Sequence, residues 1–378
     1  MKVAIFGGSF NPVHNEHINI VKEAIRSLCL DKVIIMPSNI TPSKSGRMLA
    51  SAADRLNMCR LAFESVPQTV VSDFEISQQG ISYSYLSCRK FAEKYPSDER
   101  YWIIGGDMLE NFSQWKYPEE ILKYVTLAVC AREDESKLKE AQADFFARFG
   151  KQIEVFDYVG AKVSSTRIRA LSALGESIEG LVSPDVEKYI AEHSLYSVDG
   201  AEEVKKTLSE RRWKHTVRVA VMSAENCTRY NVSEKDAITA ALFHDCAKEL
   251  SKDSPLISGC EISSDVPPPV VHQFTGAYIA EHIYGVKDEK ILNAIKYHCS
   301  GRENMSPLEK LIYLCDMLEE GRDFDGVQEL RNIFKKDKDR ALYCALKRQL
   351  NYLNSSGYVV YSLTQSAYDY LEEHKNDE

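Results

Sequence analysis

The 378-residue sequence has no Cys-x-x-Cys pair, although it contains ten cysteines. They stand singly at 29, 59, 88, 130, 227, 246, 260, 299, 315 and 344, several of them inside apolar helical patterns. That scatter excludes a zinc ribbon and a disulfide frame, and predicts reduced, buried thiols. No apolar run approaches the length of a membrane span, and the N-terminus enters an apolar stretch after two residues, leaving no room for a secretory signal. The expectation is a cytoplasmic protein with no membrane partner. A basic surplus is also missing: residues 1–198 carry 23 Lys/Arg against 26 Asp/Glu, and residues 199–378 carry 24 against 30, for a net charge of −9. Nucleic acid is therefore not an expected partner. There is no internal repeat and no low-complexity tract. What remains, 44% hydrophobic and 27% charged residues, is an ordinary globular balance whose length predicts two or three domains.

What is present is concentrated first in residues 3–17. Val3-Ala4-Ile5-Phe6 suits a strand buried on both faces of a parallel sheet, and Gly7-Gly8 lets the backbone turn tightly. Ile18, Val21, Ile25 and Leu28 then follow helical spacing, facing that sheet. A helix starting here aims unpaired N–H groups above the strand ends. His14 and His17, three apart on one face of its first turn, add side-chain donors, and the combination favours a phosphate. The reading is a nucleotide triphosphate site.

Strands at 32–36, 69–74, 100–104, 125–131 and 152–156 alternate with helices at 52–66, 84–95 and 136–149. Such alternation predicts a parallel sheet with right-handed crossovers and ligands at the strand carboxyl ends. The loops expected there hold Gly105-Gly106-Asp107, Trp115 and the run Ser164-Ser165-Thr166-Arg167-Ile168-Arg169.

Beyond Tyr196 the strands disappear. Ser197 to Gly200 reads as a short polar joint, and helical patterns follow at 213–230, 233–250, 270–284, 288–298, 307–319, 327–352 and 364–374. On these helices sit His215, the adjacent pair His244-Asp245, His272, His298 and Asp316, mostly one ligand-type group per helix among apolar neighbours. The groups can converge in a bundle, and imidazole with carboxylate suits iron, manganese or zinc rather than calcium.

The run from Gly7 to His17 resembles the signature of the nucleotidylyltransferase superfamily. Gly105-Gly106-Asp107, Trp115 and Ser164 to Arg169 resemble the other motifs of bacterial nicotinate-nucleotide adenylyltransferases, over residues 1–196. That resemblance implies ATP held by Gly7, Gly8, Ser9, Phe10, His14, His17, Asp107, Ser165, Thr166 and Arg169, with His14 and His17 polarising the phosphates. It implies nicotinate mononucleotide held by Tyr83, Ser84 and Trp115, the last stacked on the pyridine ring, and Lys44 serving phosphate from the 37–51 loop. Magnesium would bridge the triphosphate oxygens. In-line attack of a mononucleotide phosphate on the α-phosphorus needs positioning and charge neutralisation more than a nucleophile. Three departures from the family stand out: Glu16 in place of glycine, Ser43 in place of histidine in Thr41-Pro42-Ser43-Lys44, and Ser82-Tyr83-Ser84-Tyr85-Leu86-Ser87 for Ser-Tyr-Thr-x-Asp-Thr. A carboxylate at 16 suits the helix dipole but should repel a triphosphate unless it faces away or meets magnesium, so Glu16→Gly is expected to raise transfer, and a loss would mean that Glu16 has been recruited.

The second half is similar to the HD-domain metal phosphohydrolases. Arg212-Trp213-Lys214-His215, His244-Asp245-Cys246-Ala247-Lys248, Tyr297-His298 with Gly301-Arg302, and Tyr313-Leu314-Cys315-Asp316 with Gly321-Arg322 resemble the YqeK-type subgroup, over about 205 to 374. That subgroup splits diadenosine tetraphosphate symmetrically into two ADP. The resemblance implies one metal on His215, His244, Asp245 and Asp316, and a second on His272 and His298, with Asp245 bridging. Two transition-metal ions are expected, iron first, with manganese or zinc as alternatives. Lys248, Arg302 and Arg322 would neutralise the polyphosphate, Lys248 and Asp245 being catalytic. Glu320 departs from the subgroup's proline.

The expectation is thus an α/β Rossmann-like nucleotidyltransferase domain at 1–196, a linker at 197–204 and an all-α HD helical bundle at 205–378. Its partners would be ATP, nicotinate mononucleotide and diadenosine tetraphosphate, with assembly into a homo-oligomer left open. The competing readings are transfer to another phosphate such as pantetheine phosphate, an ATP-sensing first half, and hydrolysis of nucleoside triphosphates, guanosine bisphosphates or cyclic dinucleotides in the second.

Overall fold

The apolar run after Met1 becomes the central strand β1 (Lys2–Gly8), with Val3, Ala4 and Ile5 wholly buried. The computed structural model describes residues 1–39, 46–78, 80–131, 135–161 and 163–374. By backbone proximity the chain divides into two units, the first made of Met1–Ser45, Leu49–Ile168 and Ile178–Leu195. The second is made of Gly46–Met48, Arg169–Ser177 and Tyr196–Glu378.

In the first unit β2 (Lys32–Pro37), β3 (Thr69–Val71), β4 (Glu99–Gly105), β5 (Thr126–Ala131) and β6 (Glu154–Asp157) join β1 in one sheet, ordered β3-β2-β1-β4-β5-β6. Every pairing is parallel. Strand order therefore reverses between β1 and β4. The crevice outside their carboxyl ends is where such a sheet takes a ligand. Helices α1 (Asn15–Leu28), α2 (Ala52–Phe63), α3 (Phe74–Ser77), α4 (Ser84–Lys94), α5 (Gly106–Glu110) and α6 (Pro118–Tyr124) are followed by α7 (Glu135–Phe149), α8 (Ser165–Ala173), which passes into the second unit at Arg169, and α9 (Pro184–Glu192). One core packs Ile5, Ile34, Trp102 and Leu127 of the sheet with Phe91 of α4 and Phe145 of α7.

The strand expected to run to 74 stops at Val71, because β3 pairs only with β2 and Ser72 Oγ accepts the Phe74 N–H, starting α3 instead.

The second unit has no strand among its described residues. It contains α10 (Ala201–Thr207), α11 (Glu210–Asn226), α12 (Glu234–Phe243), α13 (Val271–His282), α14 (Glu289–Lys296), α15 (Pro307–Leu318), α16 (Val327–Lys336), α17 (Lys338–Ser355) and α18 (Ser362–Glu373). Two sequence expectations change here. The single helix at 327–352 is two, broken at Asp337, whose carboxylate accepts the N–H groups of Asp339 and Arg340 and caps α17. The expected polar joint buries Val198, Ala201 and Val204 in the helical core. Among the described residues, no helix is long and apolar enough to cross a membrane.

Candidate active sites

At the carboxyl end of β1 the glycines are required by close approach. A Cβ at Gly7 would stand 3.0 Å from the Trp102 ring, and one at Gly8 would stand 3.2 Å from the Phe10 ring. Phe10 itself has φ of 45°, a left-handed conformation unusual for an aromatic residue, and its buried ring packs edge-on against Phe6 and His17. The ring thus supports His17 from below.

His14 caps α1, and its main-chain N–H donates to His17 Nδ1 at 3.1 Å. With Nδ1 an acceptor, the neutral His17 ring carries its proton on Nε2, where it is a donor. The two imidazoles lie 3.7 Å apart. Ser165 Oγ donates to the Pro12 carbonyl at 2.9 Å, which sets the first turn of α8, with Ser165 and Thr166, against the loop carrying His14.

A cavity of about 640 Å³ takes in Gly7, Gly8, Ser9 and Asp107 from the expected ATP set, together with Tyr83, Ser84 and Trp115 from the expected mononucleotide set. Half-buried Trp115 rests on Phe112, ring centroids 5.3 Å apart. Lys44 lies outside the described residues.

Arg169 belongs to the second unit, and its guanidinium makes a bidentate pair with Glu234, Nε and Nη2 donating at 2.9 and 2.8 Å, with both side chains buried.

Sequence reasoning missed two buried charges in the first unit. Arg55 donates to the carbonyls of Ser9, Ser38, Asn39 and Ala50, fixing the loops that leave β1 and β2. Glu75 lines the cavity and accepts the Ser87 hydroxyl at 2.6 Å; burial raises its carboxyl above the usual range. Neither has a local motif, and both are legible only through partners distant in sequence.

In the second unit six ligand-type groups converge. His215 comes from α11, His272 from α13 and Asp316 from α15. His244-Asp245 and His298 lie just past the ends of α12 and α14, not inside the longer helices expected. The shortening has a visible cause: the imidazoles turn back on the last carbonyls, His244 Nδ1 2.6 Å from Ala241 O and His298 Nδ1 2.8 Å from Ile295 O.

Asp245 sits between two histidine pairs. Its Oδ2 is 3.6 Å from His215 Nε2 and 3.5 Å from His244 Nε2, while its Oδ1 is 3.3 Å from His272 Nε2 and 3.6 Å from His298 Nε2. Asp316 Oδ1 joins the first pair at 2.9 Å from His215 Nε2 and 3.9 Å from His244 Nε2.

The donor set fits divalent metal. Acceptor oxygens near Nδ1 of His215, His244 and His298 call for a proton there, so each neutral ring turns a bare Nε2 inward. Those Nε2 atoms face one another at 3.3 Å for His215 and His244, and 3.2 Å for His272 and His298. Buried lone pairs converging with carboxylates are relieved by a cation, and mixed imidazole and carboxylate ligands suit a transition metal.

Glu319 is a member of this site that the sequence reading passed over. Its buried carboxylate faces His215 Nδ1 at 3.0 Å and accepts from Arg218 Nε and the Gly321 N–H, both at 2.5 Å. Burial opposes its charge, yet His215, Arg218 and that N–H bring its pKa down to about 2. Glu319, the residue before the noted departure at Glu320, carries the signal: a carboxylate three residues beyond Asp316 at the end of α15.

Of the expected polyphosphate cations, two reach the cluster. Lys248 Nζ is 3.2 Å from both nitrogens of His272, and Arg322 pairs with Asp316 Oδ1. Lys248 does so from the turn after α12. Arg302 is committed elsewhere, in a bidentate pair with Glu309 at 2.7 and 2.8 Å. An unexpected cation, Arg212, donates to Asp245 Oδ2 at 2.6 Å.

Burial lowers the pKa of His244 and of His272 to about 4 each. Burial also works against charge on His215, but Asp316 and Glu319 overcome it and raise that imidazole. The gain from the raised His215 is complete once pH falls below its unfolded value, so below it the two lowered histidines set the trend. Between about pH 6.5 and 4 the unfolded chain binds more protons at these sites, so the metal-free protein should lose stability as pH falls through that window. Urea midpoints at pH 7, 5.5 and 4.5 check this; equal midpoints would contradict it.

Residues 5–171 match the Cytidylyltransferase-like family model, and residues 212–321 match the HD domain model. Among curated proteins the chain is similar to a Mycoplasma genitalium protein named "Probable nicotinate-nucleotide adenylyltransferase/Ap4A hydrolase", 29% identical over 85% of this chain and 88% of that protein. It is also similar to a Clostridium botulinum (strain Kyoto / Type A2) protein named "Probable nicotinate-nucleotide adenylyltransferase", 33% identical over 51% of this chain and 98% of that protein. Among solved structures it is similar to a "predicted HD superfamily hydrolase involved in NAD metabolism" from Clostridium acetobutylicum. That match has 33% identity, covers 46% of this chain and 95% of the other, and has a TM-score of 0.44.

Proposed function

Since the chain belongs to the nicotinate-nucleotide adenylyltransferase family in its first half and carries an HD phosphohydrolase domain in its second, we propose that it is a bifunctional enzyme with two separate active sites. Residues 1–196 transfer AMP from ATP to nicotinate mononucleotide, releasing pyrophosphate and forming nicotinate adenine dinucleotide. Residues 205–378 hydrolyse diadenosine tetraphosphate with one water to two ADP. Both substrates are small nucleotides.

For the transferase, the supporting observation is that one cavity takes in Gly7-Gly8-Ser9 together with Tyr83 and Trp115. The glycine turn and the first turn of α1 bind the triphosphate, brought in with magnesium. His17 donates from Nε2 and His14 stands beside it, so charge building on the departing pyrophosphate is met by fixed donors. The mononucleotide phosphate oxygen bonds to the α-phosphorus as the bond to the β-phosphate oxygen breaks. Trp115 stacks on the pyridine ring. Trp115→Ala should raise the KM for nicotinate mononucleotide about fivefold or more, with the KM for ATP little changed, since such stacking is worth ~1 kcal/mol. Initial rates with each substrate varied in turn check this, and equal effects on both would remove Trp115 from the pyridine pocket.

For the hydrolase, the supporting observation is that the two oxygens of Asp245 each face a different histidine pair. His215, His244 and Asp316 would hold one ion and His272 and His298 the other, with Asp245 placed to serve both; iron would be the first choice, manganese or zinc the alternatives. When bound, such a pair lowers the pKa of water and stabilises both entering and leaving oxygens. Lys248 and Arg322 hold the polyphosphate, with Arg212 in place to add a third cation.

Pyrophosphate release tests the transferase reading. ATP with nicotinate mononucleotide should give rapid release, while ATP with pantetheine phosphate should give none. The reverse preference would make the first half a transferase for another acceptor, and no release with any acceptor would make it a sensor.

A further inference from the structure

Glu16 is the residue at which this chain departs from glycine within its most specific motif. It sits at the second position of α1, where a carboxylate suits the helix dipole but would compete with a bound triphosphate. Its side chain is nonetheless buried, so it is not simply solvated.

The carboxylate has its own partner. Tyr158, on the segment leaving β6, donates its hydroxyl to Glu16 Oε2 at 2.8 Å, and Asn19 Nδ2 lies 3.5 Å from Oε1. Gly160 belongs to the same arrangement: a Cβ there would fall 1.8 Å from Glu16 Oε2, far inside van der Waals contact, so with any other residue the carboxylate would have to move. Tyr158 is anchored in turn by its main-chain N–H, which donates to Ala131 O at 3.2 Å at the end of β5. The segment then leads to Ser164 and Ser165, and Ser165 Oγ is tied to Pro12 O. Two ties therefore join the β1–α1 loop and the first turn of α1 to the segment leaving β6 and the start of α8. One is Ser165 to Pro12, and the other is Tyr158 to Glu16.

We propose that Glu16 is a positioning residue for the triphosphate side of the transferase pocket. Through Tyr158 it holds the approach to α8, and so Ser165 and Thr166, in register with His14 and His17. This rests on the adenylyl-transfer reading. It reverses the expectation from sequence that a glycine at 16 would relieve repulsion.

The test is calorimetric titration of the full chain with α,β-methylene-ATP and magnesium, beside steady-state kinetics. Glu16→Gly and Tyr158→Phe should each weaken binding of the analogue about five- to tenfold, the size of one ordinary hydrogen bond, and raise the KM for ATP to match. The KM for the mononucleotide should not move. Glu16→Gln keeps an acceptor oxygen for Tyr158 and should bind the analogue within about twofold of the unmodified chain. The double variant Glu16→Gly/Tyr158→Phe should be no worse than either single one, because the two act through one bond. Tighter binding by both Glu16→Gly and Glu16→Gln would mean that the carboxylate merely repels phosphate, and would overturn the proposal. An unchanged Tyr158→Phe would overturn it as well. If the unmodified chain binds no analogue at all, the adenylyl-transfer reading itself falls and takes this proposal with it.

Discussion

Asp245→Ala should empty the second site of metal and reduce hydrolysis of diadenosine tetraphosphate by on the order of 10³-fold or more, while pyrophosphate release from ATP and nicotinate mononucleotide continues at the unmodified rate. The size of the effect follows from position. Asp245 is buried, and its two oxygens serve two different histidine pairs, so one substitution removes a ligand from both proposed ions. Loss of an outer partner typically costs 10–100-fold in metal affinity, and loss of a shared direct ligand should exceed that. It also leaves Arg212 without its carboxylate, so Asp245→Asn, which keeps the shape, should accompany it. Metal per chain by mass spectrometry and ADP release by chromatography give the result, with pyrophosphate release as the internal control. Loss of both activities would mean that the two sites are not separate.

Glu319→Ala should lower metal affinity about 10- to 100-fold, with Glu319→Gln at the mild end. The carboxylate fixes His215 with its proton on Nδ1 and Nε2 turned inward, and Arg218 and the Gly321 N–H hold that carboxylate in turn. The glutamine variant retains one acceptor oxygen but loses the charge that raises imidazole basicity, so hydrolysis should recover at saturating metal. Competition with a chelator measures the affinity. If both variants bind metal as the unmodified chain does, Glu319 is a structural ion-pair partner of Arg218 and nothing more.

The sequence made legible what is local or periodic. Gly7 to His17 is contiguous, so its chemistry could be read as one run, and the alternation of apolar runs foretold the parallel sheet. The ligand groups stood out because histidine and aspartate among apolar helical neighbours need a reason to be buried. What stayed hidden depends on partners far along the chain. Arg169 carries the right motif, but its bidentate partner Glu234 is 65 residues away, and nothing in the motif announces it. Arg302 follows a glycine as Arg322 does, yet only Arg322 meets a ligand carboxylate, because Glu309 at the start of α15 captures the other. Helix ends were misjudged for a similar reason. The run 233–250 keeps its apolar spacing, but the imidazole of His244 takes the Ala241 carbonyl and ends α12 where the site needs a turn.

The central claim, one chain with two nucleotide active sites of different chemistry, is tested most directly by the product profile of the purified protein with its native metal retained. Offered ATP with nicotinate mononucleotide it should give nicotinate adenine dinucleotide and pyrophosphate, and offered diadenosine tetraphosphate it should give ADP alone. ADP alone is what attack of water at a central phosphorus requires, since breaking the middle anhydride bond leaves two phosphates on each adenosine. AMP with ATP from the tetraphosphate, or no dinucleotide from the first pair, would contradict the account.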